Sequence, residues 1–160
     1  MNFKEWLEAN NVIVQAGKLD TVYGNLENIL DKQFWICDYR LNENKDSKPI
    51  RSITPKLVKV FLNESLPKGK KVYYSPIHFK EVKNGKTLST VIAPYDSTGY
   101  RYYHGVSVSI FNTERECKDC FEQQCIEAIH AYNTKLEQVA KELNARMDEI
   151  HELRVKYSNL

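Results

Sequence analysis

Apolar residues along this chain follow two spacings, and each predicts a different element. Phe3, Trp6 and Leu7 form an i, i+3, i+4 stripe, and Asn2 with Glu5 makes a capping box, so a short helix runs to about Ala9. Val22, Leu26, Ile29 and Leu30 repeat that spacing after Asp20 or Thr21 and predict a second helix, which Gly24 weakens from inside. Gln33 to Leu41 alternates instead, with Trp35, Cys37, Tyr39 and Leu41 on one face, as a strand does. Polar Asn42 to Pro49 reads as a loop. Thr54-Pro55 then has the form of an N-cap and first helical turn, and Leu57, Val58, Phe61 and Leu62 follow at helical spacing until Pro67 and Gly69 end the segment.

The middle of the chain reads as β structure. Val72 to Lys83 and Lys86 to Ala93 flank Asn84-Gly85, whose residues tolerate the two positive φ angles of a type I′ hairpin turn. That turn sets Val82 opposite Thr87, His78 opposite Val91 and Ile77 opposite Ile92, with Pro76 at a strand boundary or edge. After Asp96-Ser97-Thr98-Gly99, residues Tyr100 to Phe111 alternate Tyr102, His104, Val106, Val108 and Ile110 against Tyr103, Ser107, Ser109 and Phe111. This is the pattern of a one-sided antiparallel strand.

From Thr113 to Leu160 there is no Gly or Pro, and Thr113 with Glu116 forms a capping box. Ile129, Leu136, Leu143, Ile150 and Tyr157 occupy one seam position of a heptad frame. Tyr132, Val139, Leu153 and Leu160 occupy the other, and only Arg146 breaks it. A helix over this run is roughly 70 Å long. Its first half, Phe121 to Tyr132, is expected to pack on the sheet. Beyond Leu136 too little chain remains to cover the seam, which predicts an intermolecular coil, a homodimer formed by Leu136, Val139, Leu143, Met147, Ile150, Leu153 and Tyr157. A second Thr-x-x-Glu at Thr134 and Glu137 supplies the rival, a break near Asn133 that makes a helical hairpin.

Composition narrows the classes of function. With 160 residues, 42% hydrophobic and 28% charged, the chain suits a single soluble domain with a sizeable core. A net charge of +2 gives no global field that selects nucleic acid or acidic substrates. The start, Met1-Asn2-Phe3-Lys4-Glu5-Trp6, lacks the basic and apolar regions of a secretory signal, and no apolar stretch approaches membrane length, so the expected location is cytoplasmic. The compact size and the Lys-, Asn- and Tyr-rich composition resemble the small accessory proteins of large bacteriophages, which inhibit a host enzyme or assembly. That resemblance rests on composition alone and names no family.

Three clusters bear on chemistry. Cys117, Cys120, Cys125 and His130 are spaced like a zinc knuckle with the last two ligand types exchanged. A continuous helix does not bring these residues to one face, so neither a metal nor another cofactor is expected. Cys117-x-x-Cys120 near a helix start also has redox spacing, but no βαβ context precedes it. Tyr95, Tyr100, Arg101, Tyr102, Tyr103 and His104 cluster around a turn. Of these, Tyr95, Tyr100, Arg101 and Tyr103 are the candidate partner-binding residues, because tyrosines with an interleaved arginine suit a protein interface. The same turn with Lys68, Lys70, Lys71, Lys80, Lys83 and Lys86 suits single-stranded nucleic acid, the alternative reading, although lysines at edges commonly serve solubility. The sequence has no nucleophile elbow, phosphate loop or metalloprotease His pair, so no catalytic residue is assigned.

The sequence therefore predicts an α+β fold with N-terminal helices, a roughly four-stranded antiparallel sheet and a long C-terminal helix with coiled-coil character. Residues 1–112 would form the body, and 113–160 the helix that packs on it and then dimerises. The expected function is that of a non-enzymatic dimeric protein-binding module.

Overall fold

Asn2 caps the first helix as its sequence requires. Its side-chain oxygen accepts from the Glu5 amide at 2.9 Å, and Glu5 accepts from the Asn2 amide at 2.9 Å, starting α1, Phe3–Ala9. The structure, a computed structural model, describes residues 1–15, 21–41, 49–62, 77–94 and 108–158. The chain divides into two compact units, Met1–Gln124 and Cys125–Leu160.

Two expected helices are strands. Thr21–Gly24 forms β2 and pairs with β1, Val12–Gln15, in an antiparallel ribbon. Gly24 decides this. It adopts φ +110°, which no helix accommodates, and a Cβ there would stand 2.2 Å from the Asn11 carbonyl oxygen. The apolar residues after it enter a 3-10 turn, Leu26–Asn28, so the described residues of the N-terminal region hold one α-helix rather than several.

The second revision is β4, Pro49–Leu62, a strand of 14 residues over the segment whose spacing resembled a helix. It pairs antiparallel with β3, Gln33–Leu41, and the register slips by one between Ile36 opposite Lys56 and Asp38 opposite Ile53. The extra residue lies on β4 around Thr54-Pro55. A bulge accepts a proline that lacks a ladder donor, and it switches which residues face inward. Ile53 and Val58, five apart, are therefore both buried, while Val58 and Val60 keep strand alternation. The helix-like spacing of Leu57, Val58 and Phe61 lies beyond the bulge and arises because both faces of β4 carry apolar residues there: Val58 and Val60 are buried on one, and Leu57 and Phe61 are half-buried on the other.

Among the described residues the main sheet has five strands, one more than expected, in the order β6-β5-β4-β3-β7. β5, Ile77–Lys83, and β6, Lys86–Ile92, form the hairpin around Asn84 and Gly85, at φ 52° and 72°. Val82 faces Thr87 as expected. A register shift follows, so Phe79 rather than Ile77 faces Ile92, and Lys80 rather than His78 faces Val91. β7, Ser109–Phe111, closes the other edge against β3, and the Ile110 amide donates to the Met1 carbonyl at 2.8 Å.

One sheet face packs on α1. Phe3 meets Phe79 edge-on with centroids 4.9 Å apart, Phe79 meets Phe34 at 5.4 Å, and Trp6 lies 4.8 Å from Phe34. Leu7, Ile29, Ile36, Val58 and Val60 complete this core. The other face of β3 carries the first turns of α2, Glu114–Ser158, where Tyr39 meets Phe121 edge-on at 6.3 Å and its amide donates to Gln124 Oε1 at 3.0 Å. The expected alternation of β3 is thus correct, but both of its faces are covered.

Candidate functional site

Thr113 starts α2 by accepting from the Glu116 amide at 3.3 Å, and the helix runs for 45 residues. It has no break near Asn133. The Thr134 hydroxyl donates to the His130 carbonyl at 3.1 Å, so it bonds back along a continuing helix instead of capping a new one.

Within Cys125–Leu160, the seven residues assigned to the seam are all more than half exposed, from Val139 at 51% to Leu136 at 67%. Their three- and four-residue spacing aligns them along one stripe. Ile129, expected to be covered, is also exposed. Arg146 is exposed on the same stripe, and Val155 is an exposed apolar residue away from it. Glu149, Glu152, Leu153 and Lys156, spaced i, i+3, i+4 and i+7, line a shallow depression beside the stripe.

A second cluster links β3 to the start of α2. Cys37 and Cys117 are fully buried, and the Cys37 thiol donates to the Cys117 carbonyl at 3.4 Å. Hydrogen bonding to Cys117, burial and the Cys117 charge push the Cys37 thiol well above its ordinary range, so it keeps its proton. The hydrogen bond from Cys37 draws Cys117 downward against the opposing effect of burial. Neither sulfur meets solvent, and all four cysteines are free. The pair is an internal pin between strand and helix. Sequence reasoning grouped Cys117 with Cys120, Cys125 and His130 and missed Cys37, because only the packing of α2 on β3 reveals a contact across 80 positions. Among the described residues, no group of three or more His, Cys, Asp or Glu side chains could hold a metal ion.

Tyr95, Tyr100, Arg101 and Tyr103 lie outside the described residues, as do Tyr102, His104, Lys68, Lys70 and Lys71. His78 is buried, with its ring 6.1 Å from Phe61. Of the hairpin lysines, Lys83 and Lys86 are exposed, whereas Lys80 is half-buried with its ammonium 4.4 Å from the Phe61 ring centroid. Lys56 pairs with Glu81 at 3.4 Å and Lys59 with Asp31 at 2.9 Å. A shallow depression lined by Trp35, Lys56, Leu57, Glu81 and Glu114 contains that first ion pair. Buried Asp38 is held by Arg40 through two hydrogen bonds of 2.9 and 2.7 Å.

Comparison with protein-family models, with curated proteins and with solved structures finds no match to this chain. No helix among the described residues is long and apolar enough to cross a membrane.

Proposed function

We propose that this protein is a non-enzymatic, dimeric protein-binding module, joined to a second copy of itself through the C-terminal half of α2. The observation that supports this reading is the exposed apolar stripe from Leu136 to Tyr157. A monomer rarely exposes a contiguous apolar surface of this kind, whereas a two-helix coil buries it. Residues 1–112 serve as the body in this reading, and the helix from 113 holds two bodies in one assembly.

Native mass spectrometry of the full chain tests the dimer. The expected mass is about twice 18.7 kDa, and a monomer at micromolar concentration would refute it. The partner-binding half of the reading rests on Tyr95, Tyr100, Arg101 and Tyr103. Tyr100→Ala with Arg101→Ala should abolish capture of the further partner while leaving the dimer intact; undiminished capture would remove the aromatic turn from the reading.

A further inference from the structure

The heptad frame fixes more than the seam, because it also names the residues that flank it. With Leu136, Leu143, Ile150 and Tyr157 at position a and Val139, Arg146 and Leu153 at position d, the g positions are Lys135, Glu142, Glu149 and Lys156. On a helix g lies beside d, so Arg146 shares a flank with these four charges. The e positions beside a are Asn133, Ala140, Met147 and Arg154.

These identities separate the possible pairings. A parallel dimer stacks d on d, which places Arg146 against a second Arg146 in the seam, the least favourable contact available to it. It also faces Glu142 with Met147, leaving that carboxylate opposite a thioether. An antiparallel dimer stacks a on d and sets g against g, so the alignment decides which charges meet. Alignment of Leu143 with the partner's Arg146 opposes Glu142 to Glu149 and Lys135 to Lys156, all like charges. Alignment of Leu143 with the partner's Leu153 opposes Glu142 to Lys156, twice by symmetry. The same alignment brings Arg146 beside the partner's Glu149, which offsets the meeting of the two Glu149 carboxylates at the centre. Its apolar layers pair Leu143 with Leu153 and Val139 with Tyr157. The depression lined by Glu149, Glu152, Leu153 and Lys156 then lies level with the partner's Leu143.

We infer that the occupant of the exposed stripe is a second copy of this chain running antiparallel, in the register that places Glu142 against Lys156 and sets Arg146, stacked on the partner's Ile150, beside Glu149. This rests on the dimer reading above and adds its polarity and alignment. The stripe and the charges on its flank are exposed, so they are accessible to that copy.

Charge reversal tests the register in the full-length protein. Glu142→Lys and Lys156→Glu should each weaken the dimer roughly tenfold at low salt, since each replaces two attractions by two repulsions. The double variant should recover wild-type affinity to within about twofold. An equimolar mixture of the two single variants should form heterodimers in preference to either homodimer, because both flanks are then complementary. Positions 142 and 156 are too far apart to interact within one helix, so recovery reports an intermolecular pair. Far-UV circular dichroism of each variant checks that helix content is retained. A dimer that persists while the double variant loses the sum of the single effects overturns the antiparallel register and leaves the dimer standing. A monomeric wild type overturns both.

Discussion

Leu143 offers the sharpest test of what the apolar stripe does. It is 57% exposed, and burying a whole leucine side chain contributes about 1.5–3 kcal/mol. Covering the exposed remainder is therefore worth roughly 1–1.5 kcal/mol per copy. A dimer covers two copies, and Ala retains the β-carbon, so Leu143→Ala should weaken association by about 2 kcal/mol, close to 30-fold in Kd. Val155 is the matched control, equally apolar and 56% exposed, but on the opposite side of the heptad frame. Val155→Ala should leave Kd within about twofold and slightly raise helix stability, because alanine is the better helix former. Sedimentation equilibrium over a concentration series reads both constants. Equal weakening by the two substitutions would mean that general surface apolarity drives association, and no weakening by Leu143→Ala would remove the stripe from the interface.

Two further outcomes concern the body. Gly24→Ala should destabilise the fold by about 2 kcal/mol or more in urea denaturation, since it adds a clash with the Asn11 carbonyl to a φ that L residues avoid. Gly85→Ala meets open space at φ +72° and should cost only about 1 kcal/mol; equal losses would contradict the close packing at Gly24. Cys37 gives the pH dependence. The folded protein holds its proton more tightly than the unfolded chain does, so this stabilisation is complete below the ordinary thiol value and declines as pH rises above ~8.5. Denaturation midpoints compared between wild type and Cys37→Ala from pH 7 to 10 should show a steeper decline for wild type, and parallel curves would show that Cys37 does not titrate on unfolding.

The elements legible in the sequence were those specified by local chemistry. Asn2 with Glu5, Thr113 with Glu116, and Asn84-Gly85 each fix a backbone feature through neighbouring residues, and α1, the start of α2 and the β5–β6 turn appear where those signals stand. The errors arose where tertiary pairing overrides spacing. β4 resembles a helix because Thr54-Pro55, which reads as a helix start, sits at a bulge, and because both faces of the strand beyond it carry apolar residues, Leu57 and Phe61 on one and Val58 and Val60 on the other. The register of β6 changes beyond Val82 for a similar reason. In the candidate site, the heptad stripe could be read directly because it is one residue pattern on one helix. The Cys37–Cys117 contact could not, since it joins a strand to a helix far along the chain.

The balance of forces on α2 makes the stripe more informative than the charges that surround it. Near the helix start, Glu114 pairs with Lys118 at 2.6 Å and Arg115 with Asp119 at 3.9 Å, both exposed. Such i, i+4 pairs contribute about 0.3–0.5 kcal/mol each, and ionic strength screens them. Covering one seam leucine contributes several times as much and is insensitive to salt. If the helix were needed only as a solvated arm, Glu, Lys, Arg and Ala at the seam positions would maintain it at equal or better propensity. The chain instead places Leu, Ile or Val at most of them and admits one cation, Arg146, which the proposed antiparallel register would set beside Glu149. Apolar residues give such a seam its affinity, and the flanking charges give it direction. Salt should therefore alter the choice of register more than it alters the strength of association.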